Sequence, residues 1–234
     1  MIISAVQKLT LLDYPNHTAC IVFTPGCSFR CGYCHNPEFV LPEMISEIKK
    51  SFINEKTFFS FLQTRLGKID GVVVTGGEPT MMGDLPLFLR KIQNLGFLVK
   101  LDTNGNNPAM LAKILEQKLV DYVAMDIKTS LREYKNLVGP RVNETNLAKS
   151  IGLIKNYSPE YEFRSTLIEE IHTPQILEAM GEMLRDSKKL FLQNFRPGVT
   201  LSPLFASFHP FSEIRMNEIK KMFEDFVKEV EIRN

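Results

Sequence analysis

The sequence predicts an α/β fold built on a parallel sheet, and two observations carry this prediction. Short runs rich in β-branched residues alternate with longer amphipathic segments from Thr18 onward, an order typical of βα units. Six such units are too few for a full eight-stranded barrel, so the pattern fits either an open doubly wound sheet or a partial barrel. In both architectures the functional site lies at the C-terminal ends of the strands.

The strands and helices are predicted in strict alternation. Strands are expected over residues 18–24, 71–78, 98–105, 121–128, 161–168 and 190–195. Helices are expected between them over residues 55–66, 84–95, 108–119, 144–157 and 173–187. Asp84 is a candidate N-cap, Gly96 a candidate C-cap, and Pro174 lies near the first helical position after Thr173.

A last helix is predicted over about residues 212–230. We expect it to pack on the outside of the sheet, because its apolar residues fall roughly on one face. These residues are Ile214, Ile219, Met222, Phe223 and Phe226. With this helix, residues 1–234 are predicted to form a single domain.

Composition excludes some classes of function and favours one compartment. Basic and acidic side chains nearly cancel, giving a formal net charge of +1, so no global basic field favours nucleic acid. The N-terminal residues lack a signal-peptide pattern, and the apolar runs fall far short of the ~20 residues of a membrane span. We therefore expect a cytoplasmic protein with neither a nucleic acid nor a membrane as partner. In that reducing compartment, clustered cysteines are more often metal-binding or catalytic than disulfide-bonded.

Three of the four cysteines lie in the loop of residues 24–37, TPGCSFRCGYCHNP. Cys27, Cys31 and Cys34 have the spacing C-x3-C-x2-C and follow the first predicted strand. Three thiolates on one short loop can face a single cubane, which leaves one iron of a [4Fe–4S] cluster without a protein ligand. An open iron is a place where a substrate or cofactor can bind.

The alternative is a zinc site that His35 or Cys20 would complete, because zinc commonly takes three cysteines and one histidine. Two observations disfavour it. His35 directly follows Cys34, and adjacent residues rarely turn onto one small ion. Cys20 lies inside a predicted strand, where a small apolar core residue is expected.

Polar residues also stand at the ends of the next three strands. Gly76 and Gly77 permit close backbone approach, and the adjacent Glu78 could receive an ammonium group. Asp102 and Asp126 end successive strands, with Lys128 on the same face as Asp126. These charges predict either a polar ring that binds ribose hydroxyls, a carboxylate and a small cation, or an internal ion pair of Asp126 with Lys128 or Arg164.

Taken together, these segments resemble the radical S-adenosylmethionine superfamily. CSFRCGYC matches its signature, C-x3-C-x-aromatic-C, and TGGEP follows it in this chain. A wider set is similar to the glycyl-radical-enzyme activating proteins, most closely those of anaerobic ribonucleoside-triphosphate reductase, and covers nearly the whole chain. It comprises TLLDYP, PGCSFRCGYCHNP, VVVTGGEPT, LDTNG, MDIK followed by NLVG, and LQNFRPG.

The resemblance implies a partial (β/α)6 barrel, an activity and a protein partner. A reduced [4Fe–4S] cluster would cleave S-adenosylmethionine to methionine and a 5′-deoxyadenosyl radical. That radical would take a hydrogen atom from a glycine α-carbon in a glycyl radical enzyme. The implied electron donor is external, such as flavodoxin or ferredoxin. Strand-end loops, LQNFRPG among them, would form the protein interface.

The resemblance also implies roles for individual residues. Cys27, Cys31 and Cys34 would ligate three irons of the cluster. Gly76, Gly77 and Glu78 match the motif that holds the methionine ammonium, and Lys128 matches a residue near the cofactor carboxylate. Three further matches complete the set: Tyr33 and His35 near the adenine, Asp102 and Thr103 near the ribose and a monovalent cation, and Asp126 as a further cation ligand.

Two other functions fit part of the pattern. One is a radical enzyme acting on a small molecule, similar to a deazaguanine-type synthase. The other is an electron-transfer or binding module, which would not need Glu78, Asp102 or Lys128. Gln193 and Asn194 stand where some formate-lyase activators have a cofactor-contacting histidine, so no such role is assigned here. The remaining histidines are expected to be structural or exposed: His17, His172 and His209.

Overall fold

The computed structural model describes residues 1–233 and contains one eight-stranded sheet, ordered β1 to β8 along the chain. β1 is antiparallel to β2, and all strands from β2 to β8 run parallel to their neighbours. The strands are β1 Ala5–Thr10, β2 Ala19–Thr24, β3 Gly71–Gly76, β4 Leu98–Thr103, β5 Tyr122–Asp126, β6 Glu160–Leu167, β7 Lys189–Asn194 and β8 Glu229–Arg233.

This strand order decides between the two predicted architectures. A doubly wound sheet reverses its strand order at a switch point, whereas here every parallel strand pairs with the next strand in sequence. Consecutive pairing is the order of a β/α barrel. Within residues 1–233, β1 and β8 are the two edges of the sheet and do not pair with each other, so the barrel is partial. The predicted α/β class and parallel sheet are confirmed.

Eight α-helices accompany the sheet within residues 1–233. They are α1 Pro42–Ile48, α2 Glu55–Gln63, α3 Leu85–Asn94, α4 Pro108–Glu116, α5 Tyr134–Val138, α6 Glu144–Tyr157, α7 Pro174–Met183 and α8 Glu213–Glu224. The five helices predicted between strands correspond to α2, α3, α4, α6 and α7. The short helices α1 and α5 were not predicted, because each is too brief to produce a clear helical period.

Local boundary signals are confirmed in two of three cases. Gly96 follows α3 with a φ of +87°, as a C-cap glycine does. Thr173 caps α7, its hydroxyl accepting a hydrogen bond from the Ile176 N–H. Asp84 precedes α3 but its side chain makes no cap; its carboxylate pairs with the N-terminal ammonium group of Met1 instead.

The predicted extent of the C-terminal helix is wrong. α8 ends at Glu224, and the chain turns to form β8 instead of continuing helically to about residue 230. β8 pairs with β7 along its length. Two side chains of β8 form ion pairs: Glu229 pairs with Lys189 of β7, and Arg233 pairs with Glu162 of β6. Pairing with a neighbouring strand therefore overrides the local helical pattern. The buried face also differs, since Ile214 is 75% exposed and Met216 lies inside.

Side chains of alternate strand residues divide between two environments. One set packs against the helices and forms the main core, with Val22, Val74 and Leu101 among its fully buried members. The other set faces the inside of the partial barrel, where a small cluster packs around Ile21, Val73 and Tyr122. Within residues 1–233, no helix has both the length and the apolar character of a membrane crossing.

Candidate functional site

The C-terminal ends of β2 to β6 open into a cavity of about 270 Å³. Because parallel strands end at the same edge of the sheet, residues distant in sequence meet there. The cavity is lined by every site residue predicted from the sequence: Cys27, Cys31, Tyr33, Cys34, His35, Gly76, Gly77, Glu78, Asp102, Thr103, Asp126 and Lys128. Residues that end β7, Gln193 and Asn194, do not line it.

The cysteine loop has little regular secondary structure, and backbone hydrogen bonds hold it from several sides. The Gly26 N–H donates to the carbonyl of Phe39 at 2.7 Å, and the Arg30 N–H donates to Val138 in α5 at 2.8 Å. The segment after β7 adds two more bonds, from Ser202 N–H to Gly32 at 2.8 Å and from Leu201 N–H to Cys34 at 2.9 Å. The positions of the three cysteines therefore depend on contacts far away in sequence.

The three cysteine thiols are uncharged in the absence of a metal. Burial raises the pKa of Cys27 to about 12 and that of Cys31 to about 11, and it also raises the pKa of Cys34. A bound metal ion removes the proton from a coordinating thiol. Three thiols on one wall of a cavity fit the donor chemistry of an iron–sulfur cluster.

The residues proposed to complete a zinc site lie elsewhere or have other partners. Cys20 is fully buried in the main core and does not line the cavity. The His35 ring stacks on Phe195, and its Nδ1 lies 3.1 Å from the carbonyl oxygen of Val199. Among the residues that the structure describes, no three His, Cys, Asp or Glu side chains are arranged to hold a single metal ion.

The paired glycines bring the end of β3 against the cysteine loop. A Cβ atom on Gly77 would lie 2.0 Å from the carbonyl oxygen of Gly26, and one on Gly76 would lie 2.1 Å from the nitrogen of Thr24. Two hydrogen bonds join the segments, from Gly77 N–H to Thr24 and from Glu78 N–H to Gly26, both at 2.7 Å. The close backbone approach predicted for these glycines is thus the contact between the end of β3 and the cysteine loop, which together form one wall of the cavity.

The carboxylate of Glu78 joins the segment after β3 to the end of β4 at the base of this wall. Its Oε1 accepts hydrogen bonds from the Thr80 N–H and hydroxyl and from the Thr103 hydroxyl, and its Oε2 accepts one from the Asn104 N–H at 2.7 Å. Only Oε2 has capacity left for an ammonium group. Burial, with an exposure of 2%, raises the pKa of Glu78 despite these donors.

The opposite wall carries a network of ion pairs. The Arg164 guanidinium bridges Asp102 at 3.0 Å and Asp126 at 2.9 Å. Lys100 pairs with Asp102 at 2.5 Å, and Lys128 pairs with Asp126 at 3.0 Å. The predicted internal ion pair is therefore present, with both proposed partners of Asp126.

These cations set the charge of the wall. Burial alone would raise the pKa of Asp102, but the positive charges of Arg164 and Lys100 hold it below its usual value. The pKa of Asp126 is likewise lowered by Arg164 and Lys128, which outweigh burial. Burial would lower the pKa of Lys128, yet Asp126 raises it well above its usual value. Both carboxylates are thus ionised near neutral pH, and Lys128 and Arg164, whose pKa values are raised, carry charge.

The backbone of Lys128 is held from both sides. Its N–H donates to the hydroxyl of Tyr134 at 2.9 Å, and its carbonyl oxygen lies 3.0 Å from Nε2 of His172. His172 is buried, which agrees with the expected structural role and adds a specific contact beneath the site. The Lys128 ammonium lies 5.9 Å from the centre of the Tyr33 ring. Among residues 1–233, the buried Tyr33 hydroxyl has no hydrogen-bond partner.

Some residues of the site were not assigned a role from the sequence. Asn104 stands at a predicted strand end, but nothing local indicates which partner it would meet. Arg164 was predicted as a possible partner of Asp126, whereas its contact with Asp102 was not predicted. Lys100 lies two residues before Asp102 on the same strand face, and this spacing was the available signal. Their pairing depends on the register of β4, β5 and β6, which places Arg164 directly beside Asp126.

Known proteins match this chain in sequence. The family model for the radical SAM superfamily matches residues 21–178, from β2 into α7. A "putative glycyl-radical enzyme activating enzyme" of Methanocaldococcus jannaschii is 28% identical over 237 residues, covering 99% of this chain and 95% of that protein. A pyruvate formate-lyase-activating enzyme of Streptococcus mutans is 30% identical over 141 residues. That match covers 55% of this chain and 51% of the relative, so the sequence similarity to this relative extends over about half of each protein.

Solved structures share the fold at lower identity. SuiB of Streptococcus suis bound to S-adenosylmethionine has a TM-score of 0.60 and 16% identity, over 92% of this chain and 52% of SuiB. The same protein bound to its precursor peptide SuiA has a TM-score of 0.65 and 14% identity, and the match covers 92% of this chain and 48% of SuiB.

The family model and the partial barrel agree with each other and with the cysteine spacing in the loop of residues 24–37. Membership of this family implies a [4Fe–4S] cluster and S-adenosylmethionine as cofactors. The chain belongs to the radical SAM superfamily of enzymes.

Proposed function

We propose that the protein is an activating enzyme that installs a glycyl radical in a partner enzyme, with anaerobic ribonucleoside-triphosphate reductase as the predicted partner. The observation that carries this proposal is the single cavity in which all the predicted cluster and cofactor residues meet. Similarity to the Methanocaldococcus jannaschii protein along nearly the whole of both chains supports it. The bound cofactors would supply a 5′-deoxyadenosyl radical that takes a hydrogen atom from a glycine of the partner.

The protein's contribution is to bind and orient those cofactors. Cys27, Cys31 and Cys34 would ligate three irons of the cluster, which leaves the fourth facing the cavity. Their backbone is held by hydrogen bonds from several elements, so the thiols are positioned before the cluster binds.

The other walls would hold S-adenosylmethionine through complementary charge. The ammonium of Lys128 would pair with the methionine carboxylate, and the free capacity of Glu78 Oε2, beside the backbone of Gly76 and Gly77, would accept from the methionine ammonium. Asp102 and Thr103 would face the ribose. Tyr33 and His35 would lie near the adenine, where the unpaired Tyr33 hydroxyl offers a hydrogen bond.

A monovalent cation at Asp102, Thr103 and Asp126 fits the charges of this wall poorly. The two carboxylates already have three cationic partners, and the Thr103 hydroxyl donates to Glu78. We therefore propose that Arg164 neutralises this position in place of a metal ion. The affinity for S-adenosylmethionine should then be the same in sodium, potassium and tetramethylammonium salts. A loss of about tenfold or more in the organic salt would contradict this.

The partner must present a polypeptide loop at the mouth of the cavity. The segment of residues 196–208 borders that mouth, because it bonds to the cysteine loop and leaves Val199 and Leu204 exposed. A solved relative of this fold that binds a peptide supports a polypeptide substrate. Reduction by flavodoxin or ferredoxin and a cytoplasmic location remain predictions.

The test is EPR spectroscopy after the reduced, reconstituted protein is mixed anaerobically with S-adenosylmethionine and a candidate glycyl radical enzyme. We expect a doublet signal that arises only when all components are present. Replacement of the radical-bearing glycine of the partner by alanine is the matched control and should remove the doublet. If S-adenosylmethionine is cleaved but no glycyl radical enzyme of the host gives a doublet, the protein acts on a small molecule and the proposal is wrong.

A further inference from the structure

Asn104, which immediately follows β4, contacts the cysteine loop directly. Its side-chain nitrogen lies 3.7 Å from the sulfur of Cys27 and 3.2 Å from the hydroxyl oxygen of Ser28. The residue is only 6% exposed and lines the same cavity as the three cysteines. The cysteine motif does not predict this contact, because the amide N–H that points at the Cys27 sulfur comes from a residue distant in sequence.

The orientation of this amide is fixed by its other hydrogen bonds. The side-chain oxygen of Asn104 accepts from the Asn106 N–H at 3.0 Å, so the nitrogen end must face Cys27 and Ser28. The backbone N–H of Asn104 donates to Oε2 of the buried Glu78 at 2.7 Å. Both the backbone and the side chain are thus held, and the donor is preorganised.

Hydrogen bonds to the cysteine sulfurs are unequally distributed. Within the described residues, the Cys27 sulfur receives the Asn104 amide and the Phe29 N–H, the latter at 3.4 Å. The hydrogen bonds to Cys31 and Cys34 come from backbone groups of the loop itself. Among the described residues, Cys27 is therefore the loop sulfur that receives a donor from outside residues 24–37. Hydrogen bonds to cluster sulfurs are one of the factors that set the reduction potential of an iron–sulfur cluster.

We propose that Asn104 is a positioning residue whose amide donates a hydrogen bond to the Cys27 thiolate and raises the reduction potential of the cluster held there. This inference rests on the proposed role of the three cysteines as cluster ligands. A low-potential, one-electron donor protein adds one electron to the cluster, and no bond forms or breaks. The N–H donor stabilises the added negative charge, so reduction becomes more favourable.

The proposal also gives Glu78 a second task. Its carboxylate fixes the backbone of Asn104, and through it the donor that faces Cys27. The glycine-glycine-glutamate segment and the cysteine loop are therefore coupled through the side chain of Asn104, the residue that follows β4. A change at Glu78 should disturb the potential of the cluster as well as the binding of S-adenosylmethionine.

The experiment is an EPR-monitored redox titration of the reconstituted protein without S-adenosylmethionine. Asn104→Leu removes the donor with little change in size. Asn104→Asp also removes it but keeps an oxygen for the Asn106 N–H. Both variants should have a more negative midpoint potential than the wild type, and Asn104→Asp should shift further because it adds a negative charge. Ser28→Ala is the matched control, since it removes the other partner of the amide and leaves the sulfur contact; its potential should match the wild type.

Iron content separates the possible outcomes. An unchanged potential in Asn104→Leu, with about four irons per chain, would overturn the proposal and leave the cluster assignment intact. Loss of the cluster from both Asn104 variants would also overturn it, because Asn104 would then act in folding the site. Failure of the wild type to bind a cluster at all would instead overturn the proposed function.

Discussion

The two walls of the cavity are built in opposite ways. The cysteine wall is held by backbone hydrogen bonds and by glycines that let two loops touch, and its thiols are uncharged without a metal. The wall of β4 to β6 is held by side chains, with Arg164 between Asp102 and Asp126 and a lysine at each end of the network. The first wall depends on the path of the chain and the second on charge balance.

This difference predicts different responses to substitution. Replacing a single cysteine in the cysteine wall should remove a ligand and leave the fold intact, because the cysteine side chains do not hold that wall together and backbone hydrogen bonds do. A single change in the charged wall should leave an unpaired buried charge and reduce stability. The following variants test this contrast.

The largest effect is expected for Cys31→Ala. It should reduce the iron bound after anaerobic reconstitution from about four per chain to near zero, because a cubane with one open iron needs all three thiolates. The matched control is Cys20→Ala, which should bind the cluster normally. Loss of the cluster from the control would mean that Cys20, which lies in the core, has been assigned incorrectly.

Arg164→Gln should destabilise the apoprotein strongly. Removing one partner from a buried network typically costs about 3–5 kcal/mol, since the remaining charges stay desolvated. Urea denaturation under reducing conditions measures this, with Arg164→Lys as the variant that keeps the charge. Cys31→Ala should change the same free energy of unfolding far less. Equal losses in the two walls would contradict the contrast drawn above.

Lys128→Met should weaken the binding of S-adenosylmethionine more than it affects folding, because Asp126 keeps Arg164 as an ion-pair partner. A hydrogen bond to a charged group contributes about 1.5–3 kcal/mol, which corresponds to an affinity loss of roughly 10- to 150-fold. Titration of the cofactor against the EPR spectrum of the reduced cluster measures the affinity. Lys113→Met, at an exposed position of α4, is the control. Normal affinity in Lys128→Met would remove this residue from the site.

The smallest effect is expected for His172 and depends on pH. Burial lowers the pKa of His172, so the folded protein keeps it neutral while the unfolded chain binds a proton near pH 6.5. The unfolded state then binds more protons, and the free energy of unfolding should fall as pH drops below about 6.5. His172→Gln should lose this part of the decline. Comparing the two proteins cancels the opposite contribution of Glu78, whose pKa is raised.

A wild type and His172→Gln with identical pH dependence would show that the pKa of His172 is the same in the folded and unfolded states, and would contradict this prediction. Its Nε2 would still donate to Lys128, so the contact alone does not decide the charge. The measurement is the free energy of unfolding of both proteins, obtained by urea denaturation at several pH values between 5.5 and 7.5.

The sequence was most informative about the cysteine wall and the strand ends. The spacing of Cys27, Cys31 and Cys34 is local, and the residues of the other strand ends follow from the rule that parallel strands finish at one edge. Both signals can be recognised without knowledge of side-chain packing. All the site residues predicted from them line one cavity. Whether each binds a cofactor as proposed is a matter for the variants above.

The remaining features could not be predicted because they depend on register and tertiary pairing. Arg164 meets Asp102 across two strands, and Asn104 meets Cys27 through a loop, so no local pattern encodes either contact. The same reason explains the error at the C-terminus, where β8 forms by pairing with β7 although the local residues favour a helix. Glu78 shows the converse, since its position was predicted but its bonds to Thr80, Thr103 and Asn104 were not.

The most direct test of the central claim is the EPR spectrum of the reduced, reconstituted protein before and after addition of S-adenosylmethionine. If three cysteines hold a cluster with one open iron inside this cavity, the cofactor should change the spectrum and should be cleaved under reducing conditions. A cluster that forms with about four irons, but whose spectrum is unchanged by S-adenosylmethionine and which does not cleave it, would contradict the account.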